Sequence, residues 1–308
     1  MKRIAFVVAL AGLAAASNAQ TFTRIYNDAF SGANFVVGGQ SSRSSPTGQV
    51  DNFGLTLPGF SGSAKRAIIS WNWLSNLGDS APENSITLNG TPLRGILAGI
   101  SSPDLCWGRP YLTSYYADVT DLVNSFGGGG VYTVGGAIDN AFGSLGEGVT
   151  LAAVYDDGSA ENREVSLFAG NVNTQSSVGG IATLPFANPY LGGTAKFFTN
   201  ALDGQFAGDG FFINGNDVGG ILPGTGSSGD AWIGMVGPSS VGNNFFDIAE
   251  GDVSSWMTAG DLQMTAGTIS YGDCIGHTLA GIVVNAVPAP GAAALLGLAG
   301  LVAGRRRR

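Results

Sequence analysis

Fifty glycines spread through 308 residues, set among many Val, Ile, Thr, Phe and Tyr, restrict this chain more than any other feature. Glycine weakens helix interiors and supplies the positive φ that tight turns need, while β-branched and aromatic residues fit a pleated, half-buried surface. The glycines lack the strict period of collagen, and an apolar share of 44% is too high for disorder. The composition therefore predicts short strands joined by tight turns: an all-β protein.

Local patterns place the strands. Lys65 to Leu74 puts Ile69, Trp71 and Trp73 on one face, which predicts core packing for both tryptophans. Ser85 to Leu88 alternates likewise, and Asn89-Gly90 signals a hairpin turn into Thr91-Pro92-Leu93. Asp118 is placed to cap one helical turn, with Asp121 in its first turn and Gly127 to end it. Val131 to Val134 and Val149 to Tyr155 then read as strands, and the Ser41 to Pro46 segment as a solvated loop.

A similar order recurs. Lys196 to Thr199 matches the strand at Lys65, and Gly210 to Gly215 matches the strand and turn ending at Asn89-Gly90. Asp252 to Met257 matches Asp118 to Val123, Leu262 to Met264 matches Tyr132 to Val134, and Thr278 to Val284 matches Thr150 to Tyr155. These matches predict tandem β-sandwich units over 20–185 and 186–287, as two domains or one continuous double sandwich. The Asp-Val-Thr turn, Tyr-Thr-Val strand and Ala-Val-Tyr strand resemble jelly-roll domains of bacterial surface proteins. They are also similar to the sugar-binding jelly rolls appended to glycoside hydrolases, a resemblance that implies fold more than function.

The two ends carry address signals. Lys2 and Arg3 precede an apolar run from Ile4 to Ala16, and Ser17-Asn18-Ala19 offers small residues for cleavage before Gln20, so 1–19 reads as a secretory signal peptide. At the other end, Pro288-Ala289-Pro290 breaks any helix, Gly291 to Gly304 is small or apolar, and Arg305, Arg306, Arg307 and Arg308 follow. That apolar segment spans about 21 Å as a helix against about 30 Å for a bilayer core, a marginal span held by a basic stop. Residues 288–308 resemble the PEP-CTERM sorting signal of exosortase-processed bacterial surface proteins, in the Pro-Ala-Pro form of planctomycete-type sequences; Ala289 stands where the named motif has Glu. The resemblance implies export machinery and an exosortase-type enzyme as partners, transient membrane anchoring through a C-terminal helix, and release to the cell surface or extracellular matrix.

Removing both ends leaves eight basic residues against 22 acidic ones, a net charge of −14. Such a surface repels nucleic acid and anionic lipid. Chemistry is harder to find. His277, the one histidine, reads as a turn or surface residue, and one histidine with two cysteines cannot complete a usual zinc site. No Gly-x-Ser-x-Gly elbow or phosphate-binding Gly-x-x-x-x-Gly-Lys-Ser/Thr loop occurs. Asp156, Asp157, Asp203, Asp209, Asp247, Glu250 and Asp252 are the acids a carboxylate-dependent glycoside hydrolase would draw on. Asp203, Asp209, Asn214 and Asp217 gather oxygen ligands in Gly-rich loops that suit calcium as a cofactor. Trp232 and Trp256 join the tryptophans that would stack on sugar if exposed. Trp107, Arg109 and Tyr111 form an aromatic and basic loop of the kind a polysaccharide-binding site uses. Export permits a disulfide between Cys106 and Cys274. The sequence thus favours an exported non-enzymatic surface or matrix protein, structural or adhesive, over a carbohydrate-binding module or a hydrolase.

Overall fold

The computed structural model describes residues 21–45, 48–101, 108–137, 143–174, 180–204, 208–237, 244–270 and 274–286. It is almost entirely β. In chain order the strands are β1 (Phe22–Ser31), β2 (Ala33–Ser41), β3 (Phe53–Leu57), β4 (Arg66–Ser75), β5 (Ser85–Leu88), β6 (Thr91–Arg94), β7 (Ile96–Ser101) and β8 (Tyr111–Asp118). A short helix, α1 (Thr120–Ser125), leads to β9 (Gly130–Gly135), β10 (Leu145–Asp156), β11 (Asn162–Asn173), β12 (Gly180–Pro185), β13 (Tyr190–Leu202), β14 (Asp209–Ile213) and β15 (Asn216–Asp217). After β16 (Phe246–Asp252), a 3-10 turn at Ser254–Trp256 precedes β17 (Gln263–Ser270) and β18 (Gly276–Ala286). Among the described residues no helix is long and apolar enough to cross a membrane.

The strands form four antiparallel sheets. Sheet I has the order β3-β9-β5-β6 and sheet II the order β2-β10-β4-β8-β7. Sheet III is β1-β11-β18-β13-β16 and sheet IV is β12-β17-β14-β15. Sheets I and II enclose one core, with Leu55, Trp71, Trp73, Tyr115, Tyr132 and Leu151. Sheets III and IV enclose a second, with Phe197, Phe211, Ile213, Trp232 and Ile282. Sheets II and III then face each other across Phe35, Val37, Ile68, Val154, Val165, Phe198 and Val283. The body is a stack in the order I, II, III, IV.

Burial explains the strand sequences. The outer strands alternate, as in β3 and β12, because one face meets water. The inner strands β4, β10, β11 and β18 are buried almost without interruption, because sheets II and III are covered on both faces. That is why they hold apolar stretches such as Leu151–Val154 and Leu279–Val284 and also buried polar residues such as Ser70, Asn72 and Ser166. Asn89 and Asn214 each take positive φ ahead of Gly90 and Gly215, and each accepts an N–H from the neighbouring strand, at Thr133 and Thr265. The two Asn-Gly turns are structural counterparts.

The duplication extends to topology, with β7 outside it. β2-β10-β4-β8 corresponds to β11-β18-β13-β16, and β3-β9-β5-β6 to β12-β17-β14-β15. The repeats therefore run from β2 to β10 and from β11 to β18. The change of sandwich falls at the Asp156–Gly158 turn rather than at the expected 185/186 boundary, and β12 pairs with β17 of the second sandwich. Residue matches also shift. The Val119 N–H donates to Ala67 O and the Val253 N–H to Ala195 O, so Ala67 corresponds to Ala195 and Lys196 to Ile68, not to Lys65. Ala67 pairs with Ala153 and Ala195 with Val284, which aligns Leu151 with Ile282 instead of Leu279. The like-looking Thr-Leu-Ala segments sit in different phases of the pleat. The helical turn differs in detail too: Val119 occupies the cap position, while the Asp118 carboxylate accepts the Thr120 N–H.

Phe35 and Phe198 meet edge to face, with centroids 4.8 Å apart, between sheets II and III. Phe198→Ala should therefore cost about 3–5 kcal/mol in urea unfolding, and the unfolding of both sandwiches should shift together.

Candidate functional site

The strand ends of both sandwiches converge. Leu74, Leu112, Leu145, Leu202 and Phe246, each at or next to a strand end, form one apolar cluster between sheets II and III. The C-terminal ends of β2, β4, β7, β9, β11, β13 and β17 therefore lie at one end of the stack. Loops held on a rigid scaffold are where binding functions concentrate.

Beneath these loops lies a buried ion cluster. Arg43 Nη1 lies 2.7 Å from Glu147 Oε1 and 2.9 Å from Asp203 Oδ1, with all three side chains almost fully enclosed. The guanidinium sits 3.9 Å over the Phe245 ring. Burial pulls the Arg43 pKa down, but the Glu147 and Asp203 charges more than compensate and hold it above its ordinary value. Burial pushes Glu147 up, with Arg43 opposing. Arg43 comes from the first sandwich and Asp203 from the second, so the cluster ties them together. The expectation of a solvated loop at Ser41 to Pro46 is thus corrected at Arg43: its acidic partners lie 104 and 160 residues away, beyond any local pattern.

Further acids serve the same loops. Asp247 accepts the Gly234 and Met235 N–H groups at 2.9 and 2.7 Å, and burial pushes its pKa to about 7 against those two bonds. Asp209 accepts the Ala231 and Trp232 N–H groups. The Glu83 carboxylate accepts from Ser75, Thr113 and Ser144, while its main-chain oxygen accepts both indole N–H groups of Trp71 and Trp73.

His277 is not a surface residue. It lies inside β18, fully enclosed, because the segment after Gly276 is already strand. Its Nδ1 is 2.6 Å from the Asn200 carbonyl, which can only accept, so Nδ1 carries the proton. Nε2 then accepts from Thr268, whose oxygen in turn accepts the Trp232 indole N–H. Burial lowers the His277 pKa to about 4. Neutral and sealed, it completes a hydrogen-bond chain instead of offering a base.

The sequence-derived binding residues divide. Arg109 donates from Nε to Gly143 O, joining the loop before β8 to the loop before β10. Tyr111 opens β8, half-buried, opposite Ser75. Trp107 and Cys106 lie outside the described residues, as do Pro288, Pro290 and Arg305 to Arg308. Cys274 is buried and disulfide-bonded. Of the calcium candidates, Asp203 and Asp209 flank the β13–β14 connection, whereas Asn214 is in the turn at the far end of β14. Asn214 holds Thr265 and Trp256, and Asp217 holds Gly219 and Ser228. The four do not converge, and no cluster of three His, Cys, Asp or Glu fit for a metal occurs among the described residues. Trp71, Trp73 and Trp232 are core residues, and Trp256 is half-buried against the second core.

No family model and no curated protein matches the chain. Among solved structures, a crystal structure of BuGH86wt in complex with neoagarooctaose is similar over 88% of this chain at 13% identity and a TM-score of 0.27. A substituted BuGH86 chain with the same sugar gives 89%, 13% and 0.23. Each match takes in 35% of the solved chain, so this chain spans about a third of their length. Likeness at that level carries no argument about activity.

Two measurements test this end of the molecule. Arg43→Met should cost about 3–5 kcal/mol by leaving buried carboxylates uncompensated, and Glu147→Gln added to it should cost less than the sum of the single changes. The titrations run in opposite directions. Asp247, raised from 3.8 to about 7, contributes stability that is full below about pH 4 and lost as pH rises through 7. His277, lowered from 6.5 to about 4, contributes stability that is full above 6.5 and lost as pH falls through 4. Asp247→Asn should therefore make the urea midpoint fall more steeply between pH 6.5 and 4.5 than it does in the parent protein.

Proposed function

We propose that this chain is an exported, non-enzymatic protein of the cell surface or extracellular matrix, structural or adhesive in role, delivered through its C-terminal sorting signal. The observation that carries the reading is the employment of the acids. Asp156 accepts the Gly158 N–H, Asp157 and Arg163 form an ion pair, and Lys196 holds Glu250. Asp203 pairs with Arg43, Asp209 and Asp247 accept loop N–H groups, and Asp252 accepts the Ser254 N–H. Each carboxylate weighed for hydrolysis is committed to holding a turn, a loop or a neighbouring sheet.

The rest of the reading comes from the sequence. A signal peptide over 1–19 and a PEP-CTERM-like segment over 288–308, with its terminal helix as a transient anchor, bring in the export machinery and an exosortase-type enzyme. The jelly-roll-like units between them would meet extracellular polysaccharide through Trp107, Arg109 and Tyr111. A Cys106–Cys274 bond would staple the loop before β8 to the loop before β18, one from each sandwich. Closing so long a loop adds on the order of 5 kcal/mol in the chain-entropy model.

Intact-mass analysis of protein recovered from producing cells tests the route. The expected product begins at Gln20 and ends near Pro288, and replacing Arg305, Arg306, Arg307 and Arg308 with glycine should leave the tail uncut. A cytoplasmic product that retains Met1 would sink the reading. So would release of reducing sugar from a polysaccharide panel that is lost on changing Asp156 and Asp157 to Asn.

A further inference from the structure

Strand β1 stands apart from the duplication. Sheets II and III each contain the four strands of the repeat, and β1 is added outside them, beside β11. None of its ten residues is buried, and its registered partner is β11 alone, from Phe22 opposite Gly170 to Ser31 opposite Asn162. The site it fills is a different matter. β11 is buried along almost its whole length and, without β1, would present an open edge of a sheet sealed on both faces.

The strand's side-chain anchors are few and specific. Asn27 Nδ2 donates to Glu164 Oε1 at 2.8 Å and to Ser166 Oγ at 2.9 Å, and Arg24 donates to Pro185 O. Ile25, Tyr26 and Phe30 lean on the core between sheets II and III. Every one of these acceptors and contacts lies beyond β1 itself. A β1 from another molecule would meet the same partners.

What keeps the strand at home is one residue. Gly32 carries the chain from sheet III into sheet II at φ +75, its N–H bonded to Glu161 O and its carbonyl to the Asp157 N–H. A side chain there would collide with the Asp156 carboxylate. Such a short, conformationally demanding connection is the kind at which domain swapping arises.

We propose that β1 is an exchangeable strand, and that copies of this chain assemble by inserting β1 of one molecule beside β11 of another. In the exchanged form, residues 31–33 extend and the demand on Gly32 disappears, while the β1–β11 pairing is unchanged. Exchange is reciprocal in a closed dimer and sequential in a chain of molecules. This inference concerns assembly and stands independently of the route proposed above.

Trans pairing can be read directly. Full-length protein with Ser31→Cys is mixed at high concentration with full-length protein carrying Asn162→Cys, and the 31–162 cross-link is sought by peptide mass after mild oxidation. The proposal expects that cross-link between the two populations. Gly32→Val, which penalises the cis turn, should raise its yield about tenfold, and two glycines inserted after Gly32 should lower it. A 31–162 cross-link that forms only when both cysteines are in one chain, in the parent and in either hinge variant, overturns the idea. Dimers without the cross-link would mean simple edge contact and would overturn it as well.

Discussion

The contact between sheets II and III governs this molecule. Because that contact seals the second face of two sheets that already cover a core, their central strands lie in the interior and the polar groups there have no recourse to water. The structure answers with a compact hydrogen-bond set. Asn200 donates across the contact to Thr150 and within its own sheet to Thr278, and its Oδ1 accepts the Thr278 and Leu279 N–H groups. The same constraint explains glycines that sit in strands and not in turns. At Gly281 a Cβ would meet the Phe198 ring, and at Gly148 the Phe246 ring. Gly281 makes room for the ring of its own cross-strand partner in sheet III, and Gly148 lets a ring from sheet III reach the backbone of sheet II.

Charge follows from the same sealing. A buried arginine is tolerable only when its partners are supplied in place, and Arg43 receives two carboxylates and an aromatic face. Those partners come from both sandwiches, so the ion cluster discriminates one docking of the two halves from others in which a charge would be stranded. Asp247 and Asp209 extend the logic to the loops of the second sandwich. A strongly acidic body therefore devotes some of its acids to organisation and leaves the remainder to its surface.

Much of the fold was legible because it depends on local signals. The alternation around Trp71 and Trp73, the Asn89-Gly90 turn and its counterpart at Asn214-Gly215 are each encoded within a few residues. The duplication was legible in order but not in register: Thr150-Leu151-Ala152 and Thr278-Leu279-Ala280 look alike, yet Leu151 faces the core of its own sandwich and Leu279 the contact between sandwiches. In β10 and β18, buried on both faces, the apolar stretch lacks the alternation that would have fixed its phase. The site was less legible still. Arg43 sits in a Ser-rich segment that resembles any solvated loop, and His277 has neighbours on both sides that suit a turn as well as a strand. The acidic partners of Arg43 lie 104 and 160 positions away and the Asn200 carbonyl that fixes His277 lies 77 away, and no short pattern carries that information.

Equivalent residues of the two repeats meet at the central contact. Counting from Ala67 and Ala195, Asn72 corresponds to Asn200 and Leu74 to Leu202. Both asparagines donate to the Thr278 hydroxyl, and both leucines belong to the cluster at the loop end. Val37 and Val165, whose partners Ala152 and Val283 are themselves equivalent, likewise share one core. A surface whose residues meet their own counterparts is the signature of a two-fold interface. The halves are thus joined as a homodimer would be, with one chain supplying both subunits. Fusion frees the copies to diverge where symmetry no longer binds them, and they have done so at their edges. The first sandwich carries β7 beside β8 and the second carries β1 beside β11, with no counterpart for either among the described residues of the other half. The common parts of the repeats hold the body together, and the unequal strands at its margins are where the two halves acquire different surfaces.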